Sequence, residues 1–366
     1  MRVALVSYFF EPFTGVGAIR PTYWAKHISE LDQSIACDVI TAQTDAPDEL
    51  DSGKVKIIKV LPKKGGFVSS KIRIDAGFDW KAPLEKFFRE NGSKYDAVVF
   101  TGGPFMHFFA ASKLKCRVIF DFRDPFANNP NHNLNKFKRF VKRVCERKLL
   151  GIADISVTVN AVCRDLMENH EKHRIEIIDN GYDESVVGKY ETGCVSGGNR
   201  KKIVYAGKFY PGVSPEIFLG VLGKDENISR FSFDYMGPEK EKVNGFDRGN
   251  FNVTSSVPYP EAVSRIAAAD IGIIFTGGKP FESTTKIFDY IGLERTILVV
   301  TEGEPFTGTI QEISKDYPNI FWCRNNEESI RDALNKIYDS ERKPYPEKVK
   351  FSRKEGLKKL IGLINE

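Results

Sequence analysis

Five mostly apolar residues, Ile271-Gly272-Ile273-Ile274-Phe275, run into Thr276-Gly277-Gly278-Lys279-Pro280 and then into a segment with Ile287, Phe288 and Ile291 at helical spacing. The first run is short and rich in β-branched residues, which predicts a buried strand. Gly277, Gly278 and Pro280 end it. Ser283, Thr284 and Thr285 are helix-capping residue types, so a helix is expected to begin near Thr284. Strand, glycine loop and helix start, in that order, point to an α/β fold. They also turn backbone N–H groups and the positive end of a helix toward an anion, typically a phosphate. The alternative is an ordinary capped βα turn, which every α/β protein contains. Asp289 falls about one turn inside the helix, where a carboxylate reaches a ribose hydroxyl pair.

The same alternation fills the chain. Strands are expected over residues 2–10, 36–41, 55–60, 97–100, 115–120 and 155–159, then over 202–206, 232–236, 252–254, 271–275, 296–300 and 320–323. Helical spacing separates them, for instance over 21–31, 83–91, 160–170, 261–269, 327–338 and 354–364. A chain of 366 residues with this pattern predicts two doubly wound α/β domains. The polar, glycine-rich stretch near 186–200 reads as a linker. The expected division is 1–185, 201–345 and a last segment, 346–366.

Glycine turns follow several strands, where doubly wound folds take ligands. Gly15 and Gly17 precede Arg20, which is placed to meet an anionic group or to be an exposed helix residue. Gly102 and Gly103 follow the fourth strand, and Gly207-Lys208 follows the first strand of the second half. The Gly-x-Gly-x-x-Gly spacing of a dinucleotide site is absent. The fifth strand delivers Asp121-Phe122-Arg123-Asp124-Pro125 to the same end. Two acids flanking an arginine form either a structural ion pair or a group that recognises or deprotonates an acceptor hydroxyl.

The net charge of +5 is mild but uneven. Between Lys136 and Lys148 stand seven basic residues and one acid, Glu146, with Phe137, Phe140, Val141 and Val144 interleaved. This predicts a basic amphipathic helix, packed on its own domain or resting on anionic lipid. The basic stretch 54–73 would extend such a patch, and no nucleic-acid motif accompanies it. Cys37, Cys116, Cys145, Cys163, Cys194 and Cys323 form no close pair, which fits free thiols in a reducing cytoplasm. The first residues read as a strand rather than a signal peptide, and no run reaches the roughly 20 apolar residues of a membrane span. His170 and His173 lack a further ligand, so no metal site is expected.

Lys286-Ile287-Phe288-Asp289-Tyr290 resembles the Lys-x-x-Glu-Tyr run of retaining GT-B glycosyltransferases of family four, with Asp289 at the second acid of that family's paired-acid motif. Glu282 stands one place late for the first acid. Asp121 to Pro125 resembles a motif of the surface-polysaccharide subgroup, and Asn180-Gly181-Tyr182-Asp183 resembles the turn that closes the first domain. The resemblance covers nearly the whole chain. It implies two Rossmann-like domains facing a cleft, with the last helix crossing back to the first domain. It implies a hexosyltransferase that moves a sugar from a nucleotide-sugar donor to a hydroxyl of a glycan or lipid-linked acceptor, with retention. In it Asp289 holds the ribose, Lys208 meets the pyrophosphate, and Glu282 holds the donor sugar. Ser283, Thr284 and Thr285 offer amides to the leaving phosphate. Gly15 and Gly17 let backbone approach donor or acceptor, and Asp121 or Asp124 serves the acceptor hydroxyl. Ser214 stands where the family has a second lysine, and Lys286 either substitutes for it or pairs with Asp289. The resemblance implies no bound metal or resident cofactor, and the scattered cysteines and the basic helix fit a cytoplasmic enzyme, peripheral on the inner face of the plasma membrane. The same fold hosts sugar-nucleotide epimerases, hydrolases and non-catalytic sugar-nucleotide binders, which stay open as alternatives.

Overall fold

The computed structural model describes residues 1–13, 15–50, 55–63, 74–130, 134–190, 200–209, 212–246 and 250–366. The chain divides into two compact units, Met1–Asn180 with Gly356–Glu366, and Gly181–Glu355. The expected linker lies mostly at 191–199, outside the described residues, as does most of the basic stretch 54–73.

The first unit is built on a seven-stranded parallel sheet ordered β3-β2-β1-β4-β5-β6-β7. Its strands are β1 (Arg2–Ser7), β2 (Ala36–Thr41), β3 (Lys56–Lys59), β4 (Ala97–Thr101), β5 (Arg117–Phe122), β6 (Ile155–Thr158) and β7 (Ile175–Ile177). The second carries a six-stranded parallel sheet ordered β10-β9-β8-β11-β12-β13. Its strands are β8 (Lys201–Ala206), β9 (Phe231–Met236), β10 (Phe251–Thr254), β11 (Ile271–Thr276), β12 (Thr296–Thr301) and β13 (Ile320–Arg324). Both are the doubly wound, Rossmann-like arrangement that the alternation predicts.

Each sheet is buried on both faces, so its central strands are apolar almost throughout. Val3 and Leu5 point into one core of the first unit, Ala4 and Val6 into the other. Ile273 and Phe275 face one core of the second unit, Ile274 the other. Each fully buried aliphatic or Phe side chain contributes about 1.5–3 kcal/mol.

Two helices begin earlier than their prolines suggest. α1 (Val16–Leu31) contains Pro21, and α2 (Phe78–Asn91) contains Pro83. An interior proline leaves the carbonyl four residues back without its helical donor. Both orphaned carbonyls find another: Arg123 Nη2 donates to Gly17 O at 2.8 Å, and the Lys63 amide donates to Asp79 O at 3.0 Å. Outside donors therefore let the helices run through.

The basic run forms α3 (Lys136–Leu150), capped by Asn135, whose side chain accepts from the Lys138 amide at 2.8 Å. Its packing differs from the expected pattern. Leu149 and Leu150 are buried, but Phe137 and Phe140 stand 74% and 60% exposed. The lone acid, Glu146, is fully buried and accepts from the backbone amides of Phe126, Ala127 and Glu168 at 2.8, 3.2 and 2.9 Å.

Candidate functional site

In both sheets the strand order reverses between neighbours, at β1/β4 and at β8/β11. At such switch points the crossover helices lie on opposite faces, leaving a crevice at the carboxyl ends of the strands. The glycine turns singled out in the sequence are the loops that leave these four strands.

In the second unit, α4 (Tyr259–Ala267) and α5 (Lys286–Gly292) build the site. The helix after the glycine loop begins at Lys286 rather than Thr284, and its N-cap residue, Thr285, makes no side-chain capping bond. α5 lies close on β11 because residue 272 is glycine; a Cβ there would sit 2.6 Å from the Tyr290 ring. The Tyr290 hydroxyl donates to Ile273 O at 3.2 Å and fixes the helix to the strand.

This seats Asp289 with its side chain turned inward, 8% exposed. The Tyr259 hydroxyl donates to Asp289 Oδ1 at 2.7 Å. Arg353 lies over the Tyr259 ring at 5.1 Å, pairs with Asp183 at 3.3 Å and donates to Gly181 O at 2.9 Å. Burial pushes the Asp289 carboxyl up to about 6, against the opposing pull of Arg353, Tyr259 and Lys286. Lys286 is pushed down to about 8 by burial, with Lys208 adding to the shift and Asp289 opposing it. Its ammonium sits 5.0 Å over the Tyr205 ring. A Cβ at Gly207, whose φ is +122, would meet Lys286 Nζ at 3.0 Å, so this turn has to be glycine to admit the lysine. Lys208 is exposed beside it. The second unit thus gathers Lys208, Lys286 and Asp289 at its switch point.

Glu282 is held differently. The Thr276 hydroxyl donates to it, and Lys279 O accepts its amide at 3.0 Å. Ser283 and Thr285 are exposed, and Thr284 Oγ1 accepts from the Lys286 amide at 3.4 Å. Ser214 lies near the start of a short helix, Glu216–Leu222, with its carbonyl bound by Asn325 at 2.9 Å.

In the first unit, Asp121 is fully buried. Thr101 Oγ1 donates to its Oδ2 at 2.7 Å, and Arg20 Nε lies 3.3 Å from the same oxygen. Oδ1 has no hydrogen-bond partner. Arg20 is buried inside α1 and spends Nη1 on Ile178 O at 2.9 Å. Arg123 crosses Gly102, whose φ is +73 and whose Cβ would clash with Nη2, and binds Val16 O and Gly17 O. It ties the end of β5 to the first turn of α1. Gly15 is the residue before that turn, and Gly103 follows Gly102 half-buried. Asp124 is exposed at the strand's end.

Sequence reasoning missed Tyr259, Asp183 and Arg353, which surround Asp289 from positions far apart in the chain. The described residues hold no group of three His, Cys, Asp or Glu fit for a metal ion. The described cysteines are free thiols, and Cys194 lies outside the described residues. No described helix is long and apolar enough to cross a membrane.

No protein-family model and no curated protein matches the chain. Solved structures do. The lipopolysaccharide outer core galactosyltransferase WaaB superposes with a TM-score of 0.64 at 11% identity, covering 100% of this chain and 99% of that one. An α,α-trehalose-phosphate synthase (UDP-forming) from Burkholderia xenovorans gives 0.64 at 10% identity, covering 100% of both chains. UDP-GlcNAc 2-epimerase from Methanocaldococcus jannaschii gives 0.62 at 12% identity, covering 100% and 99%. At these identities the likeness is one of fold: the chain has the two Rossmann-like domains of the GT-B architecture.

Proposed function

We propose that the chain is a glycosyltransferase that moves a sugar from a nucleotide-sugar donor to a hydroxyl of a glycan or lipid-linked acceptor, with retention of configuration. The observation that carries this is the buried Asp289, aligned by Tyr259, beside two lysines at the β8/β11 switch point. A ribose diol satisfies a carboxylate with two O–H donors. A diphosphate is the matching anion for Lys208 and Lys286.

The barrier to transfer is charge separation. The leaving diphosphate gains negative charge while the sugar becomes oxocarbenium-like. Lys208 and Lys286 would meet that charge in place, with backbone amides of 283–285 beside them and no resident metal or cofactor. Asp289 positions the nucleoside. Glu282 holds the donor sugar. On the acceptor side, exposed Asp124 is within reach of a hydroxyl, whereas buried Asp121, with Arg20 and Arg123, positions the strand end that carries it.

A lipid-linked acceptor fits α3. Phe137 and Phe140 are exposed among Lys136, Lys138 and Arg139, a combination that inserts rings and pairs with anionic headgroups. We place the protein in the cytoplasm, at the inner membrane face, in surface-glycan synthesis.

The test is incubation with a panel of nucleotide sugars, with and without hydroxyl acceptors, and product analysis by NMR. Transfer only with acceptor, at unchanged anomeric configuration, supports the reading. A second reading, sugar-nucleotide epimerisation, draws on the epimerase neighbours, and an isomerised donor without acceptor would replace the first.

A further inference from the structure

Three aromatic rings stack at the carboxyl ends of β8 and β9. Tyr205 and Tyr235 are partners across the two strands, with ring centroids 6.1 Å apart and planes inclined by 12°. Phe209 folds back over both, at 4.8 Å and 5.3 Å. All three are buried. Packing alone asks only for rings here, yet two of the three carry hydroxyls, and a buried hydroxyl needs a partner. The Tyr235 hydroxyl accepts from the Glu239 amide at 3.1 Å. The Tyr205 hydroxyl reaches forward along its own chain and donates to Lys208 O at 2.7 Å.

That bond closes the turn that presents Lys208. The turn is also pressed onto the end of β9. The Gly207 amide donates to Met236 O at 2.7 Å, the Phe209 amide donates to Glu239, and a Cβ at Gly237 would stand 2.3 Å from Gly207 O. The Tyr205 ring has a second neighbour, the ammonium of Lys286, which lies 5.0 Å from its centroid and comes from the first residue of α5. One buried side chain therefore meets the backbone of one lysine and the charged end of another, although the two lysines belong to different elements.

A ring suits that place better than an acid. A carboxylate would hold the ammonium and cancel its charge. The ring quadrupole attracts the ammonium and leaves its charge for an anion. The charged groups that face Lys286 are Lys208, from the turn after β8, and Asp289, on its own helix. Two neighbouring cations repel each other, so holding both in place needs an anchor that is not itself the anion. We propose that Tyr205 is a positioning residue for a diphosphate: its hydroxyl sets the Lys208 turn and its ring seats the Lys286 ammonium, so that cations from two elements face one anion. This rests on the nucleotide-sugar donor site proposed above, and it assigns no contact between Tyr205 and the nucleotide.

The experiment is calorimetric titration of the full chain with UDP, GDP and ADP, and then with the nucleoside of whichever binds, for wild type, Tyr205→Phe and Tyr205→Met. The Phe variant keeps the ring and the stack and loses only the hydroxyl, so it should fold as wild type does. It is expected to bind the diphosphate about fivefold more weakly and the nucleoside unchanged. The Met variant loses the ring as well and should bind the diphosphate about fivefold more weakly again. That gap between Phe and Met should vanish when both are made in a Lys286→Met background, because the ring acts through Lys286. Diphosphate binding unchanged in either variant, a loss shared equally by the nucleoside, or a Phe–Met gap that persists without Lys286 overturns the positioning role and leaves the diphosphate site standing. Binding of no diphosphate by the wild type overturns the transferase reading itself, and with it the site that Tyr205 would serve.

Discussion

Replacing Asp289 with asparagine separates function from stability. Burial pushes the Asp289 carboxyl up to about 6. A rise of that size from the ordinary carboxylate value corresponds to about 3 kcal/mol of preference for the neutral form. Between pH 4 and 6 the folded protein keeps a proton that the unfolded chain has released, so stability falls as pH rises through that window and stays lower above it. Asparagine never ionises, and its amide oxygen still accepts from Tyr259, while Arg353 keeps Asp183 and Gly181 O. Asp289→Asn is therefore expected to be more stable than wild type at pH 7 by about 1–3 kcal/mol, and equal to it near pH 4. At about 2–4 °C per kcal/mol, the melting of the second unit rises by several degrees. Nucleoside diphosphate binding should fall at least tenfold in the same variant. The assay is scanning calorimetry from pH 4 to 8, with and without nucleotide. An Asn variant less stable than wild type at pH 7, or a gap that does not change with pH, refutes the reasoning.

Lys286 loses its charge as pH passes about 8, so wild-type affinity for a nucleoside diphosphate should drop between pH 7 and 9. Lys286→Met should bind at least tenfold more weakly, with a flat profile, by isothermal titration. Glu146→Ala strands three buried backbone amides and should cost about 3 kcal/mol or more in chemical denaturation, and a loss under 1 kcal/mol would contradict its anchoring role. The double change Phe137→Ser, Phe140→Ser touches exposed rings, so stability should move by no more than about 0.5 kcal/mol. Cosedimentation with anionic vesicles should fall several-fold, and unchanged cosedimentation removes the lipid surface as a partner of α3.

Strands were the most legible elements. Ala36–Thr41 matches its expected bounds, and β11 extends the expected run by one residue, because parallel strands buried on both faces are continuous apolar runs. Helix starts were legible only where nothing remote intervened. Pro21 and Pro83 read as starts, and the donors that let α1 and α2 run through them come from Arg123 and Lys63, which no local pattern reveals. The glycine loops and Asp289 stood out because their chemistry is local. Tyr259, Asp183 and Arg353 did not, because their partnership with Asp289 exists only after folding. In α3 the sequence pattern gave the helix but not its buried face: Glu146 goes inside to cap a loop, and two phenylalanines stay outside.

The central claim is a nucleoside diphosphate site built on Asp289. The most direct test is calorimetric titration of UDP, GDP, ADP and CMP into wild type and Asp289→Ala. The account predicts that one diphosphate binds wild type selectively, raising its melting temperature as a ligand of the folded state does, and that Asp289→Ala stays folded and loses this binding. Equal binding by Asp289→Ala, or binding of no nucleotide by the wild type, would contradict it.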